Sequence, residues 1–193
     1  MKRYVALVHH PVVDQTGAIV TTALTNLDLH DIARSCCTYG MDGYYIVHPV
    51  EQQRAFAQRI VGHWDTDGRH DFRRQALELV TTVPSLEDAI ADITTRDGAP
   101  TVIATTARAT AGSIDFPAAR ALSTPTLLVL GTGFGLAESV MQSATCILEP
   151  IVGPTVYNHL SVRSACAILL DRLYGIEKTL RLQSPFDKRS TES

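Results

Sequence analysis

Short apolar runs rich in β-branched residues alternate with stretches of helical periodicity along this chain, and that alternation restricts its fold more than any other feature. Tyr4 to His9 (YVALVH), Gly43 to His48 (GYYIVH), Pro100 to Thr106 (PTVIATT) and Thr126 to Leu130 (TLLVL) read as buried strands, because continuous apolar runs of this length need cover on both faces. Ala76 to Val83 (ALELVTTV) and a short run around Cys146 to Leu148 complete the set. In LDLHDIARSCCTYG, Leu29, Ile32, Ala33, Cys36 and Cys37 recur at helical spacing as one apolar stripe, and Gly40 stops the helix. Pro49 opens a second helix, PVEQQRAFAQRIVGHW. Ser85 precedes LEDAIADITTRDG as an N-cap, with Asp88 three residues on and Gly98 as the stop. Further helices are expected near Ala118 to Leu122, in LAESVMQSA and near Leu160 to Tyr174. The polar segment from Gly62 to Gln75 (GHWDTDGRHDFRRQ) reads as a surface loop. The pattern predicts an α/β fold built on a mostly parallel sheet with helices on both faces.

With 193 residues, 45% apolar and 19% charged, the chain suits one globular domain over residues 1–183 and a polar tail over 184–193. Its first apolar run breaks at His9, His10 and Pro11, too early for a signal peptide, and no run approaches a membrane span, so a cytoplasmic protein is expected. Cys36, Cys37, Cys146 and Cys166 lack CxxC spacing and read as small buried thiols. No third ligand stands at metal spacing from His9 and His10, and no G-x-S-x-G elbow or carboxylate pair is present, so neither a metal nor hydrolase chemistry is expected. The formal charge of −3 argues against a protein that holds nucleic acid by bulk charge alone. An RNA partner would be gripped by a few placed cations.

Three segments carry chemistry. In LLVLGTGFGLAES a buried strand runs into Gly131, Gly133 and Gly135 and then a helix, which lets a ligand approach the backbone and leaves amides to donate. Leu136 occupies the third-glycine position of a dinucleotide fingerprint, and no Lys-Ser or Lys-Thr pair marks a P-loop. The loop LEPIVGPTVYNHLSVRSA, with two prolines and a glycine, enters the last helix through Asn158, His159 and Ser161, and can present backbone groups to a flat heterocycle or serve as a capped connector. Finally, TNLDLHDIARSCCTYG sets Asn26, Asp28, His30, Asp31 and Arg34 around the first turns of a helix, where Asp31 and Arg34 also suit a surface ion pair.

In this order the three segments resemble the motifs of the SPOUT superfamily of S-adenosylmethionine-dependent RNA methyltransferases. The first motif of its ribose-methylating branch reads N-x-x-x-x-x-R-x-x-x-x-x-G; here Asp28 stands at the Asn position, and Arg34 and Gly40 keep both intervals. Gly133 replaces the glutamate usual in the second motif, and Tyr157-Asn158-His159-Leu160-Ser161-Val162 is similar to the third, S-L-N-V-S-V. A stand-alone bacterial subgroup is more similar still in GTGFGLAES and EPIVGPTVYNHLSVRSA.

The resemblance implies a C-terminal trefoil knot and a homodimer with first-motif residues facing the partner's cofactor. It implies S-adenosylmethionine held by Gly131, Thr132 and Gly133 on one side, by Leu148, Glu149, Pro150, Ile151 and Gly153 around the adenine, and by Tyr157, Asn158 and Leu160, with Thr105 a weaker contact. It implies RNA as substrate, with tRNA expected and ribose O2′ favoured over a base nitrogen. Arg34 would engage the acceptor or its phosphate, and Asp28 or His159 would take its proton. Arg69, Arg73 and Arg74 on the polar loop, with Arg163 nearer the pocket, are the candidate RNA contacts, although a solvated charged loop has the same composition. A nucleotide- or dinucleotide-binding α/β enzyme and a non-catalytic binder on the same fold are the alternatives.

Overall fold

The computed structural model describes residues 1–63 and 72–176. Along the chain lie β1 (Arg3–Val8), a hairpin of β2 (Val12–Val13) and β3 (Ile19–Val20), α1 (Asn26–Thr38), β4 (Gly43–Val47), α2 (Glu51–His63), α3 (Phe72–Leu77), β5 (Val80–Val83), α4 (Leu86–Asp97), β6 (Thr101–Ala104), α5 (Phe116–Arg120), β7 (Thr126–Gly131), α6 (Glu138–Ser143), β8 (Cys146–Ile147) and α7 (Val162–Tyr174). Six strands form one sheet in the order β5-β4-β1-β7-β6-β8, and every pairing is parallel.

The alternation of side chains along β1 makes two cores. Val5 and Leu7 point into the larger, with Leu29, Ile32, Ala33 and Cys36 of α1, Ala57 of α2, Leu77 of α3, Phe116 of α5 and Leu169, Leu170 and Leu173 of α7. Tyr4, Ala6 and Val8 point into the smaller, with Leu86, Ala89 and Ile93 of α4 and Val140 of α6. Covering both faces is what demanded unbroken apolar runs, and each large side chain so buried stabilises the fold by roughly 1.5–3 kcal/mol. Cys36 and Cys166 lie in the larger core, and Cys37 and Cys146 are half-buried.

Helix starts follow the sequence chemistry. The Ser85 hydroxyl accepts the Asp88 amide at 3.1 Å, as its N-cap position predicts, and Gly98 ends α4 with φ of 93°. Thr25 does the same for α1: it accepts the Asp28 amide at 3.1 Å and donates to the Asp28 carboxylate at 2.6 Å.

Two expectations are corrected. Ala76 to Val83 is not one strand: Ala76 and Leu77 close α3, and only Val80–Val83 joins the sheet, as an edge strand with a half-exposed pattern. The polar stretch from Gly62 is not wholly loop, since α2 runs to His63 and α3 begins at Phe72. Arg73 and Arg74 belong to α3, whose Ala76 and Leu77 reach the core. The hairpin β2–β3 was not expected; two-residue strands are too short to show a period. No helix among the described residues is long and apolar enough to cross a membrane, and no three His, Cys, Asp or Glu side chains among them gather as metal ligands. Residues 184–193 lie outside the described residues.

Candidate functional site

The central strand β7 ends in the glycine turn. A Cβ on Gly131 would lie 2.6 Å from the Leu136 nitrogen and 2.9 Å from the Gly135 carbonyl carbon, so only glycine lets the chain fold back on itself there. Gly133 has φ of +60°, and a Cβ on it would sit 2.9 Å from the Val13 carbonyl oxygen. The turn spends much of its own hydrogen-bonding capacity. The Thr132 amide donates to the Val8 carbonyl (3.2 Å), Phe134 to Val13 (2.9 Å) and Gly135 to Thr132 (3.1 Å). The expectation of amides left to donate therefore fails at these three positions, and the turn offers close approach instead of an anion cradle.

A cleft of about 1070 Å³ opens beside this turn. Gly131, Thr132 and Gly133 line it together with Thr105, Glu149, Ile151, Asn158, His159 and Leu160, and Asp28 reaches it from the first turn of α1. Residues that stand far apart in the chain thus converge. Thr105 donates its hydroxyl to the Val129 carbonyl at 2.9 Å, and Asn158 donates its side-chain amide to the Ala107 carbonyl at 2.8 Å. The second bond ties the long loop before α7 to the loop after β6. Glu149 accepts the Phe116 amide at 3.1 Å. Sequence reading missed Glu138, Arg108, Phe134 and Met141, which also line the cleft. Glu138 and Phe134 both stand within GTGFGLAES, Phe134 next to Gly133 and Glu138 five residues past it; Arg108 and Met141 lie on segments with no motif.

Several expected contacts lie elsewhere. Leu148 is fully buried in the larger core, held by its amide to the Ala104 carbonyl at 2.9 Å, so its side chain supports the cleft from beneath. Pro150, Gly153 and Tyr157 do not line the cleft. Tyr157 is 72% exposed and meets His159 edge-on, with ring centroids 5.3 Å apart. Arg34 is absent from the cleft as well. Six helical residues turn through about 600°, so Arg34 leaves α1 on another side from Asp28. It lines a separate groove of about 770 Å³ between α1, α2 and α3, with His30, Phe56, Arg59, Ile60 and Arg73. His30 is held below its ordinary range by burial first and then by nearby Arg73.

The candidate RNA cations are dispersed. Arg73 and Arg74 stand on α3 rather than in a loop, with Arg74 paired to Glu78 at 3.2 Å. Arg163 shares its charge with Asp28 (3.9 Å) and Asp31 (3.8 Å). Arg69 lies outside the described residues.

A parallel sheet whose middle strand ends in a ligand-facing glycine turn, closed over by a long loop from the C-terminal segment, defines a class of α/β ligand-binding enzymes. Comparison with known proteins narrows the class. Residues 2–175 match the family model described as SAM-dependent RNA methyltransferase, and the chain belongs to that family. It is 48% identical over 179 residues to a protein of Oleidesulfovibrio alaskensis named tRNA (guanine-N(1)-)-methyltransferase, covering 89% of this chain but 42% of that protein. It thus spans less than half the length of that relative. An uncharacterized protein of Aquifex aeolicus is 38% identical over 180 residues and is matched over 88% of its own length. In fold the chain is similar to the A. aeolicus TrmH/SpoU tRNA modifying enzyme, with a TM-score of 0.56 at 15% identity, over 90% of this chain and 73% of the other. The resemblance to S-adenosylmethionine-dependent RNA methyltransferases read from the three segments is borne out by the family match.

Proposed function

We propose that the cleft beside the glycine turn holds S-adenosylmethionine and that the protein methylates tRNA. The sign of the cleft carries this reading. Asp28, which shares the charge of Arg163, and Glu138 and Glu149 line it with one guanidinium, Arg108, and three amides of the turn are already bonded within the protein. A pyrophosphate needs donors and cations, whereas S-adenosylmethionine, with sulfonium and ammonium charges against one carboxylate, is net cationic and is favoured by carboxylates. The charge balance therefore disfavours the dinucleotide alternative.

Bound S-adenosylmethionine supplies an electrophilic methyl group. The chain's part is to hold the acceptor in line with it and to favour loss of the acceptor's proton; orientation of this kind is worth roughly 7–11 kcal/mol. Asp28 and His159 line the same cleft and are the groups suited to take the proton. An arginine is protonated throughout the physiological range, so Arg34 would act by stabilising developing negative charge or by gripping a phosphate. It lies outside the cleft of its own chain, which favours a homodimer in which α1 of one protomer faces the cleft of its partner. With it we propose the C-terminal trefoil knot, in which the loop before α7 is threaded against the turn. Arg73, Arg74 and Arg163 are the proposed RNA contacts among the described residues.

The resemblance of Asp28, Arg34 and Gly40 to the first motif of the ribose-methylating branch implies ribose O2′ as acceptor. A base nitrogen is favoured by the name of the O. alaskensis relative, which also supports tRNA, although that name describes a protein more than twice the matched length. Calorimetry with S-adenosylmethionine and NAD, then nucleoside mass spectrometry of tRNA incubated with the protein, tests the reading. Binding of the first ligand alone and a new 2′-O-methylnucleoside are expected; 1-methylguanosine would move the acceptor to the base. A wild-type protein that transfers no methyl group to RNA would be a binder, and the enzymatic reading would fall.

A further inference from the structure

Residues 9–22 leave β1, form the hairpin β2–β3 and return across the outside of the glycine turn. The backbone is stitched there: Phe134 donates to the Val13 carbonyl and Val13 to the Gly135 carbonyl, both at 2.9 Å, and Ala137 donates to Pro11 at 3.2 Å. Beneath the hairpin two imidazoles are buried, His9 at 0% and His48 at 1% exposure, with ring centroids 5.3 Å apart. Neither lines the cleft.

Their proton positions follow from their partners. The Thr132 hydroxyl donates to the Val8 carbonyl at 3.1 Å, which commits its only proton. Thr22, 2.5 Å away, must then donate to Thr132. The Thr22 oxygen is left to accept from His9 Nδ1 at 3.0 Å, so His9 carries its proton on Nδ1. His9 Nε2 is a buried lone pair with no partner among the described residues. His48 has the opposite tautomer. Its Nδ1 accepts the Val50 amide at 3.1 Å, so Nε2 donates to the Thr22 carbonyl at 3.0 Å. Thr22 is thus gripped by one imidazole at its side chain and by another at its backbone.

We infer that His9 is a positioning residue for ligand binding: through Thr22 it fixes the Thr132 hydroxyl and the glycine turn in the shape the cleft requires. Two neutral imidazoles in an apolar core cost desolvation that apolar side chains of the same size would avoid, and a structural core gives no reason for them to converge on one threonine against the turn. The inference rests on the cleft being the S-adenosylmethionine site.

Replacing His9 by two different residues separates positioning from packing. His9→Asn keeps an N–H near the Nδ1 position, and His9→Leu removes it while keeping an apolar fill. In calorimetry His9→Leu should bind S-adenosylmethionine about tenfold more weakly than wild type, and His9→Asn within about twofold of it, even where both melt earlier. Equal affinity in His9→Leu and wild type, or equal weakening in both variants, would overturn the inference and leave the cleft assignment standing. A wild-type protein that binds no S-adenosylmethionine in the same titration would overturn both. If His9→Leu does not fold, His9→Ala against His9→Asn makes the same comparison, with weakening expected only for alanine; equal affinities in that pair would overturn the inference.

Discussion

At the scale of single residues the site is set by atoms that have no room to move. Gly131→Ala drives a methyl group into backbone rather than into a yielding side chain. The expected result is a loss of roughly 1–3 kcal/mol in urea unfolding and of measurable S-adenosylmethionine binding in calorimetry. Affinity at the wild-type level would show that the turn does not shape the cleft. His9 gives a second expectation, in stability. Burial, with a smaller contribution from His48, holds its imidazole at about 4, against 6.5 ordinarily. Between these two values the unfolded chain binds more protons at His9 than the folded one, so stability falls as the pH falls. The contribution is complete above about pH 6.5 and exhausted below about pH 4, and it corresponds to roughly 3 kcal/mol. His48, also lowered chiefly by burial, acts in the same direction. Urea midpoints measured down this range should fall less steeply in His9→Asn than in wild type; parallel profiles would contradict a neutral buried His9. The sequence held His9 and His10 only as a pair without metal spacing. Their surroundings, Thr22, His48 and Thr132, come from distant segments, which no local pattern reports.

Elements differ in how much of themselves they declare. Helix α4 was legible at both ends because a capping serine and a left-handed glycine act on their nearest neighbours. Ser85→Ala should therefore cost about 1 kcal/mol in thermal unfolding and leave ligand affinity unchanged. The stretch over α3 and β5 was misread because Ala76, Leu77, Val80 and Val83 are apolar at spacings that suit a strand as well as a helix. The break at Glu78 and Leu79 is decided by packing against α1 and by parallel pairing with β4. The loop before α7 carries the opposite lesson. Its composition announced irregular backbone, but the bond from Asn158 to Ala107 depends on where β6 ends. Asn158→Ala should loosen that loop, so that bound S-adenosylmethionine leaves several-fold faster in stopped flow while the melting temperature changes little. An unchanged release rate would make the bond incidental.

For the whole molecule the decisive fact is that Arg34 lines a groove separate from the cleft of its own chain. In the proposed dimer, Arg34→Ala and Gly131→Ala should complement each other. Each variant alone should lose methyl transfer, and their coexpressed mixture should regain a substantial part of it, since one of its sites joins an intact turn to an intact arginine. A mixture as inactive as its parents would show that Arg34 does not act across subunits, and Arg34→Ala with wild-type turnover would remove it from the reaction altogether.

What the sequence by itself determined was local or periodic: the strand–helix alternation, the both-sided burial of the central strands, the caps of α4, the glycines after β7 and the order of the three segments that places the chain in its family. Each is written in neighbours within a few residues, where sterics and hydrogen bonding act directly. Only the tertiary structure decided that Asp28, Glu138 and Glu149 share one cleft and Arg34 does not, that the amides of Thr132, Phe134 and Gly135 are already used, and that two buried histidines hold Thr22 against the turn. These depend on parallel crossovers that bring residues more than a hundred positions apart into contact, and on which side of a helix a given residue leaves it once the sheet has fixed the helix's rotation.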